Sequence, residues 1–265
     1  MTEFTAIPVL DLAPLTEGGD TAELARAFAK AYGETGFGYV INHGVDPALR
    51  ADVFEAAKRF HALSETEKAR IALNKQHRGY IAINTSTDVT TDLAEVTKPN
   101  QSSSFMMMRE DVEADPDTYL SGPNQWPDLP GFQETCTAYA EAMSALGHRL
   151  MGLALEAIGV TDRGILQAFD PPTLWLRLLH YPPQPVQSAD DLYGSAPHKD
   201  FGCLTLLAQD DTGGLQVQTP AGHWVDAPPM KDAFVVNVGD MLHRLSNARR
   251  LSTPHRVINK TGRAR

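Results

Sequence analysis

The chain has 265 residues, 42% hydrophobic and 21% charged, with a formal net charge of −10. That length supports one large core or a core with an attached lobe, and the acidic balance excludes nucleic acid or an anionic membrane as the main partner, because phosphate binding needs a basic face. Two cysteines, Cys136 and Cys203, make no disulfide framework, and the first thirty residues lack a signal-peptide pattern, so the reducing cytoplasm is the expected location.

In chain order, "IPVLDLAPL" reads as a short apolar strand closed by a Pro and Gly-Gly turn. Asp20 or Thr21 caps a helix to about Ala31, with Leu24, Ala25, Phe28 and Ala31 at helical spacing. "GFGYVINHGV" is a strand edged by glycines, followed by a helix over Pro47–His61. "SETEKARIAL" opens a further helix at Ser64 through an S-x-x-E capping box. Residues 80–125 are polar and read as irregular. Pro130, near the first helical position, starts the longest helical pattern, which runs to about Ala157.

From Thr173 the pattern changes to short strands: "TLWLRLLHY", "CLTLLAQ", "GLQVQ", "HWVDA", "AFVVNV" and "TPHRVIN", separated by the turns "DDTGG", "PAG" and "NVGD". Strands at this spacing predict a barrel or double-sheet jelly roll. The expected fold is therefore α+β with a mainly β core, a jelly roll (double-stranded β-helix) flanked by helices. The division reads as an N-terminal helical lobe over 1–125, a long supporting helix region over 126–171, and the β core over 172–265.

Among nine histidines, His198 alone stands in an H-x-D arrangement, with Asp200 two positions on. On an extended backbone both side chains leave one face. His255, in "LSTPHRVIN", follows Asp200 by 55 positions, enough strands for the chain to return beside the first pair. Two histidines and one carboxylate form the facial triad of non-haem Fe(II) oxygenases, which leaves open positions for substrate, cosubstrate and O₂. The bland alternative is a turn with a surface ion pair.

The phrases "IPVLDLAPL", "GFGYVINHGV", "RGY", "LHYPPQP", "HKDFGCLTLLAQDDTGGLQV", "VNVGDMLHRLSN" and "STPHRV" occur in order over nearly the whole chain. On them the sequence resembles the Fe(II)/2-oxoglutarate-dependent dioxygenases, in their isopenicillin N synthase-like branch. The resemblance implies that His198, Asp200 and His255 bind Fe(II). It further implies that 2-oxoglutarate and O₂ are consumed, with release of succinate and CO₂, as an unactivated C–H bond of a small molecule is hydroxylated or desaturated.

By the same resemblance Arg265, ten residues past His255, and Tyr181 hold the distal carboxylate of 2-oxoglutarate; Arg263 is a competing candidate. A guanidinium suits that task because its fork meets both carboxylate oxygens. The serine two positions past the arginine, and the final strand of the core, are expected to lie beyond Arg265. The companion asparagine of the tyrosine is replaced by Leu179. That departure keeps a second reading open, an oxidase like isopenicillin N synthase that uses no 2-oxoglutarate. A third is a metal-binding but impaired homologue.

On "TLWLRLLHY", Trp175, Arg177, Leu179 and Tyr181 alternate onto one face. A charge facing inward needs a partner, so Arg177 is expected to meet an anionic substrate group or else a carboxylate of the N-terminal lobe. Phe201, beside Asp200, is expected to wall the site, and Trp175 to join it. Of Met106, Met107 and Met108, adjacency forbids all three sharing one face.

Overall fold

The computed structural model describes residues 3–86, 93, 96–111, 115, 117–118, 120–160, 162–185 and 192–265. The N-terminal part comprises β1 (Val9–Asp11), α1 (Ala13–Thr16), α2 (Ala22–Glu34), β2 (Phe37–Ile41), α3 (Pro47–His61), α4 (Glu65–Ala69), β3 (Gly79–Ile81) and β4 (Ser103–Met108). The long α5 (Phe132–Ala157) and a 3-10 turn over Arg163–Phe169 lead to the remaining strands. These are β5 (Trp175–His180), β6 (Ser195–His198), β7 (Leu204–Leu207), β8 (Leu215–Gln218), β9 (Trp224–Asp226), β10 (Phe234–Val238) and β11 (His255–Val257), with the short α6 (Asp240–Leu245) after β10.

Local chemistry explains most boundaries. The side chain of Asp46 accepts from the amide of Ala48, and Pro47 presets the first turn of α3. Ser64 and Glu67 close the expected capping box of α4 from both sides. The long helix starts two residues later than the sequence predicts. Gly131 is its N-cap in a left-handed conformation, φ +76°, which leaves Pro130 outside the helix.

Residues 80–125 are less irregular than their composition suggests. β4 lies at the centre of a three-stranded sheet, order β3-β4-β5. Its Phe105 and Met107 enter the helical core while Ser104 and Met106 take the opposite face, in register with Leu179 and Arg177. Polar Ser-rich sequence masked this alternation.

Two four-stranded sheets carry the centre, ordered β1-β2-β10-β7 and β6-β11-β8-β9. The first lies between two apolar layers. Val40, Phe234, Val236 and Val238 pack toward α2, α3 and α5, around Phe28, Phe60, Phe132 and Leu150. Phe37, Tyr39 and Val235 instead share a second cluster with Leu215, Val217, Val257 and Tyr181, which joins the two sheets. A strand buried on both faces needs an unbroken apolar run, and β10, "FVVNV", has one with a single polar interruption. That interruption, Asn237, marks the site.

Candidate metal centre

β6 and β11 are antiparallel neighbours, and His198 pairs directly with His255 in their register. The two imidazole centroids stand 4.2 Å apart. β6 ends at His198, so Asp200 lies just past the strand rather than on it. Its carboxylate still turns to the same point: Oδ1 is 3.6 Å from Nε2 of His198 and 3.7 Å from Nε2 of His255. One donor atom from each residue falls within 4.8 Å of the others. A cation centred among them would need only sub-ångström adjustments to reach bonding distance, roughly 2.1 Å.

The hydrogen bonds around the triad prepare it as a donor set. Nδ1 of His198 donates to the carbonyl of Ala196 at 2.7 Å, and Nδ1 of His255 to that of Thr253 at 3.3 Å. A carbonyl only accepts, so each ring carries a proton on Nδ1 and turns Nε2 toward Asp200. Asp200 Oδ2 accepts from Thr205 Oγ1 at 2.5 Å and from Asn237 Nδ2 at 2.9 Å, which leaves Oδ1 to face the histidines. Burial pushes the Asp200 carboxyl up, but His255, the amide of Asn237, the Thr205 hydroxyl and His198 together outweigh it and hold the group below the usual carboxylate range. The donor chemistry, two imidazole nitrogens and a carboxylate oxygen, fits a ferrous ion.

Thr205 and Asn237 escaped the sequence reading. They sit directly opposite each other on β7 and β10, each a lone polar residue within an apolar strand. That polar interruption was the available signal. Gly239 also contributes, because a Cβ there would collide with the carbonyls of Asp200 and Gly202.

The other expected site residues fall into two groups. Arg265 and Tyr181 meet: their backbones exchange two hydrogen bonds at 2.7 and 3.0 Å, and the guanidinium lies 5.1 Å from the tyrosine ring. The Arg265 side chain is only 6% exposed, its Nη1 donates to the carbonyl of Gly213, and Nε is 4.0 Å from Asp210. Arg263, by contrast, points to solvent beside Asp211 with its side chain 61% exposed. Leu179 packs at the edge of the apolar cluster that contains Tyr181.

Trp175, Arg177 and Phe201 form the second group, on the surface beside the triad. Arg177 is exposed and meets no carboxylate among the described residues; its Nε donates to the hydroxyl of Ser104 at 2.9 Å. Phe201 is exposed, and its ring packs edge-on against Trp175 at 4.5 Å. A cleft of about 670 Å³ between the end of β4 and α5, lined by Met107, Glu110, His148 and Leu174, lies elsewhere; none of the three donors lines it. No helix among the described residues is long and apolar enough to cross a membrane.

The chain is similar to known proteins over nearly its whole length. Residues 7–129 match the family profile described as the non-haem dioxygenase in morphine synthesis N-terminal region, and residues 172–265 match that of the 2OG-Fe(II) oxygenase superfamily. A 2-oxoglutarate-Fe(II) type oxidoreductase, hxnY of Emericella nidulans, is 36% identical over 98% of this chain and 77% of its own length. The homoarginine-6-hydroxylase 2-ODD-C23 of Glycine max is 32% identical over 100% of this chain and 84% of its own. The crystal structure of a full-length Neurospora crassa protein in complex with alpha-KG and thymine superposes with a TM-score of 0.83 at 30% identity, covering 100% of this chain and 85% of that one. With the histidine–aspartate–histidine cluster in place, the chain belongs to the 2OG-Fe(II) oxygenase superfamily and is an oxidoreductase that uses Fe(II), 2-oxoglutarate and O₂.

Proposed function

We propose that His198, Asp200 and His255 hold the iron, that Arg265 and Tyr181 hold the distal carboxylate of 2-oxoglutarate, and that the enzyme hydroxylates or desaturates a small, anionic organic molecule. The observation that carries this reading is the convergence of three donor atoms from two separate stretches of chain on one point. Bound iron with 2-oxoglutarate and O₂ supplies the oxidising power for an unactivated C–H bond.

The protein's own part is positioning. Ala196 and Thr253 fix the imidazole tautomers, while Thr205 and Asn237 keep Asp200 ionised and turned. Phe37 lies edge-on to His255 at 5.2 Å and keeps water from that side of the ring. Arg265 is held against Tyr181 at the far end of the apolar cluster, where its fork suits a dianionic cosubstrate. Arg177 is the cation placed to receive an anionic substrate.

In architectural terms we read the two four-stranded sheets as the halves of a jelly roll, with residues 1–125 as an N-terminal helical lobe, 126–171 as supporting helix and 172–265 as the catalytic core. Two free thiols, Cys136 and Cys203, suit a reducing cytoplasm.

Anaerobic addition of 2-oxoglutarate to the ferrous protein tests the centre. The visible charge-transfer band of the chelate should appear, vanish in His255→Ala and weaken in Arg265→Ala. A full-strength band in His255→Ala rejects the ligand assignment.

A further inference from the structure

Eight large hydrophobic residues are exposed among those described; two of them, Trp175 and Phe201, pack together beside the metal centre, and a third, Met241, is joined to Phe201 through its backbone amide. Phe201 follows Asp200 directly and is 60% exposed. Its ring meets Trp175, and its carbonyl, with that of Gly202, accepts from the amide of Met241. Leu245 lies one turn further along α6. Scattered exposed hydrophobes need no explanation, but a contiguous group beside a reactive centre marks a binding surface.

A cation stands next to this group. Arg177 is the next residue on the same face of β5 after Trp175, roughly 7 Å along the strand. Its Nε is tied to Ser104, which is fully buried, so the guanidinium is anchored at one end. Neither Nη nitrogen has a protein partner among the described residues. Met106, opposite Arg177 in the register, puts an adaptable apolar side chain beside it.

Resting on the metal-centre reading above, we infer that the substrate class is an organic carboxylate with a flat apolar body. Its anionic group meets Arg177, and its body lies on the Trp175–Phe201–Met241 rim, which brings it beside Asp200. A bidentate fork favours carboxylate over a neutral amide, and the edge-on aromatic pair favours a ring over a short alkyl chain. Arg177, Trp175, Phe201 and Met241 are thus specificity-determining residues, and α6 takes part through Met241.

Calorimetric titration of the full chain, with Zn(II) and saturating 2-oxoglutarate in place, tests this with 3-phenylpropionate, 3-phenylpropanamide and butyrate as probes. Phenylpropionate should bind at least about tenfold more tightly than either of the others. Arg177→Gln should erase the preference for acid over amide, and Trp175→Ala or Phe201→Ser the preference for aryl over alkyl. Met230→Ser, exposed but off the rim, should leave all three affinities unchanged. Equal affinity for acid and amide, no binding of phenylpropionate, or unchanged selectivity in the rim variants overturns the inference. So does a concentration-dependent dimer that Phe201→Ser abolishes without touching ligand affinity, because a second copy would then cover the rim. The ferrous charge-transfer band keeps the two levels apart: a wild-type protein without it fails as a metal centre, whereas a normal band without selective binding sinks only this substrate class.

Discussion

The grip of Asn237 and Thr205 on Asp200 is the most exacting test of how the site is built. Asn237 is 3% exposed and donates to Oδ2 at 2.9 Å, while Thr205 donates to the same oxygen at 2.5 Å. Hydrogen bonds to a buried charge are worth about 1.5–3 kcal/mol, so losing one should weaken metal binding by roughly ten- to a hundredfold. Asn237→Val and Thr205→Val remove one donor each and keep the strand packed, since both flanking residues of β10 are already valines. The two donors share one acceptor, so the double variant should lose less than the sum of the singles. Metal affinity is read by chelator competition with Zn(II) or Co(II), and the thermal midpoint of the metal-free protein serves as the control for folding. Metal-free stability should fall by no more than about 1.5–3 kcal/mol, because Asp200 keeps its charge but loses one donor, so metal affinity is compared at a temperature where each variant is fully folded. Affinities within about twofold of wild type in both single variants would refute the claim that Oδ2 is held so that Oδ1 can bind.

Arg265→Ala should raise the 2-oxoglutarate concentration needed for the charge-transfer band by at least about tenfold while metal affinity stays put, since Arg265 lies against Tyr181 and not among the three donors. Phe60→Ala should cost about 3–5 kcal/mol in urea unfolding, because its ring is fully buried and meets Phe105, Phe132 and Tyr80. His61 is stacked on His180, and burial lowers its pKa to about 4, with His180 and Lys68 adding to the effect. The unfolded chain takes up that proton near pH 6.5 while the folded one stays neutral, so stability should fall as pH drops from about 6.5 to about 4. The slope is at most ~1.4 kcal/mol per pH unit for one proton. His61→Gln should flatten that slope in urea titrations, and an undiminished slope would reject the assignment. Gly36→Ala should impair metal binding from a distance, because at φ +71° its Cβ would strike Thr253 Oγ1 and the carbonyl of Leu251, both on the segment leading to His255.

Local signals carried far in this chain. The capping box at Ser64 and the apolar strands after Thr173 depend on residues a few positions apart, and the structure contains each of them. His198 and Asp200 were visible as a pair for the same reason: their spacing is a property of two neighbouring residues. The strand over Ser103–Met108 was hidden because its serines face a partner strand that composition does not reveal. α6 was hidden too, since "NVGD" reads locally as a turn.

What a linear string cannot contain is which strand lies beside which. Only the pairing of β6 with β11 brings His255 opposite His198, and only the pairing of β7 with β10 sets Thr205 and Asn237 across from each other under Asp200. The end of the chain follows the same logic, with Arg265 hydrogen-bonded along Tyr181, 84 residues upstream. Side-chain periodicity is written in the order of residues, whereas these contacts arise from burying two sheets against one shared core, a choice made by the whole chain at once.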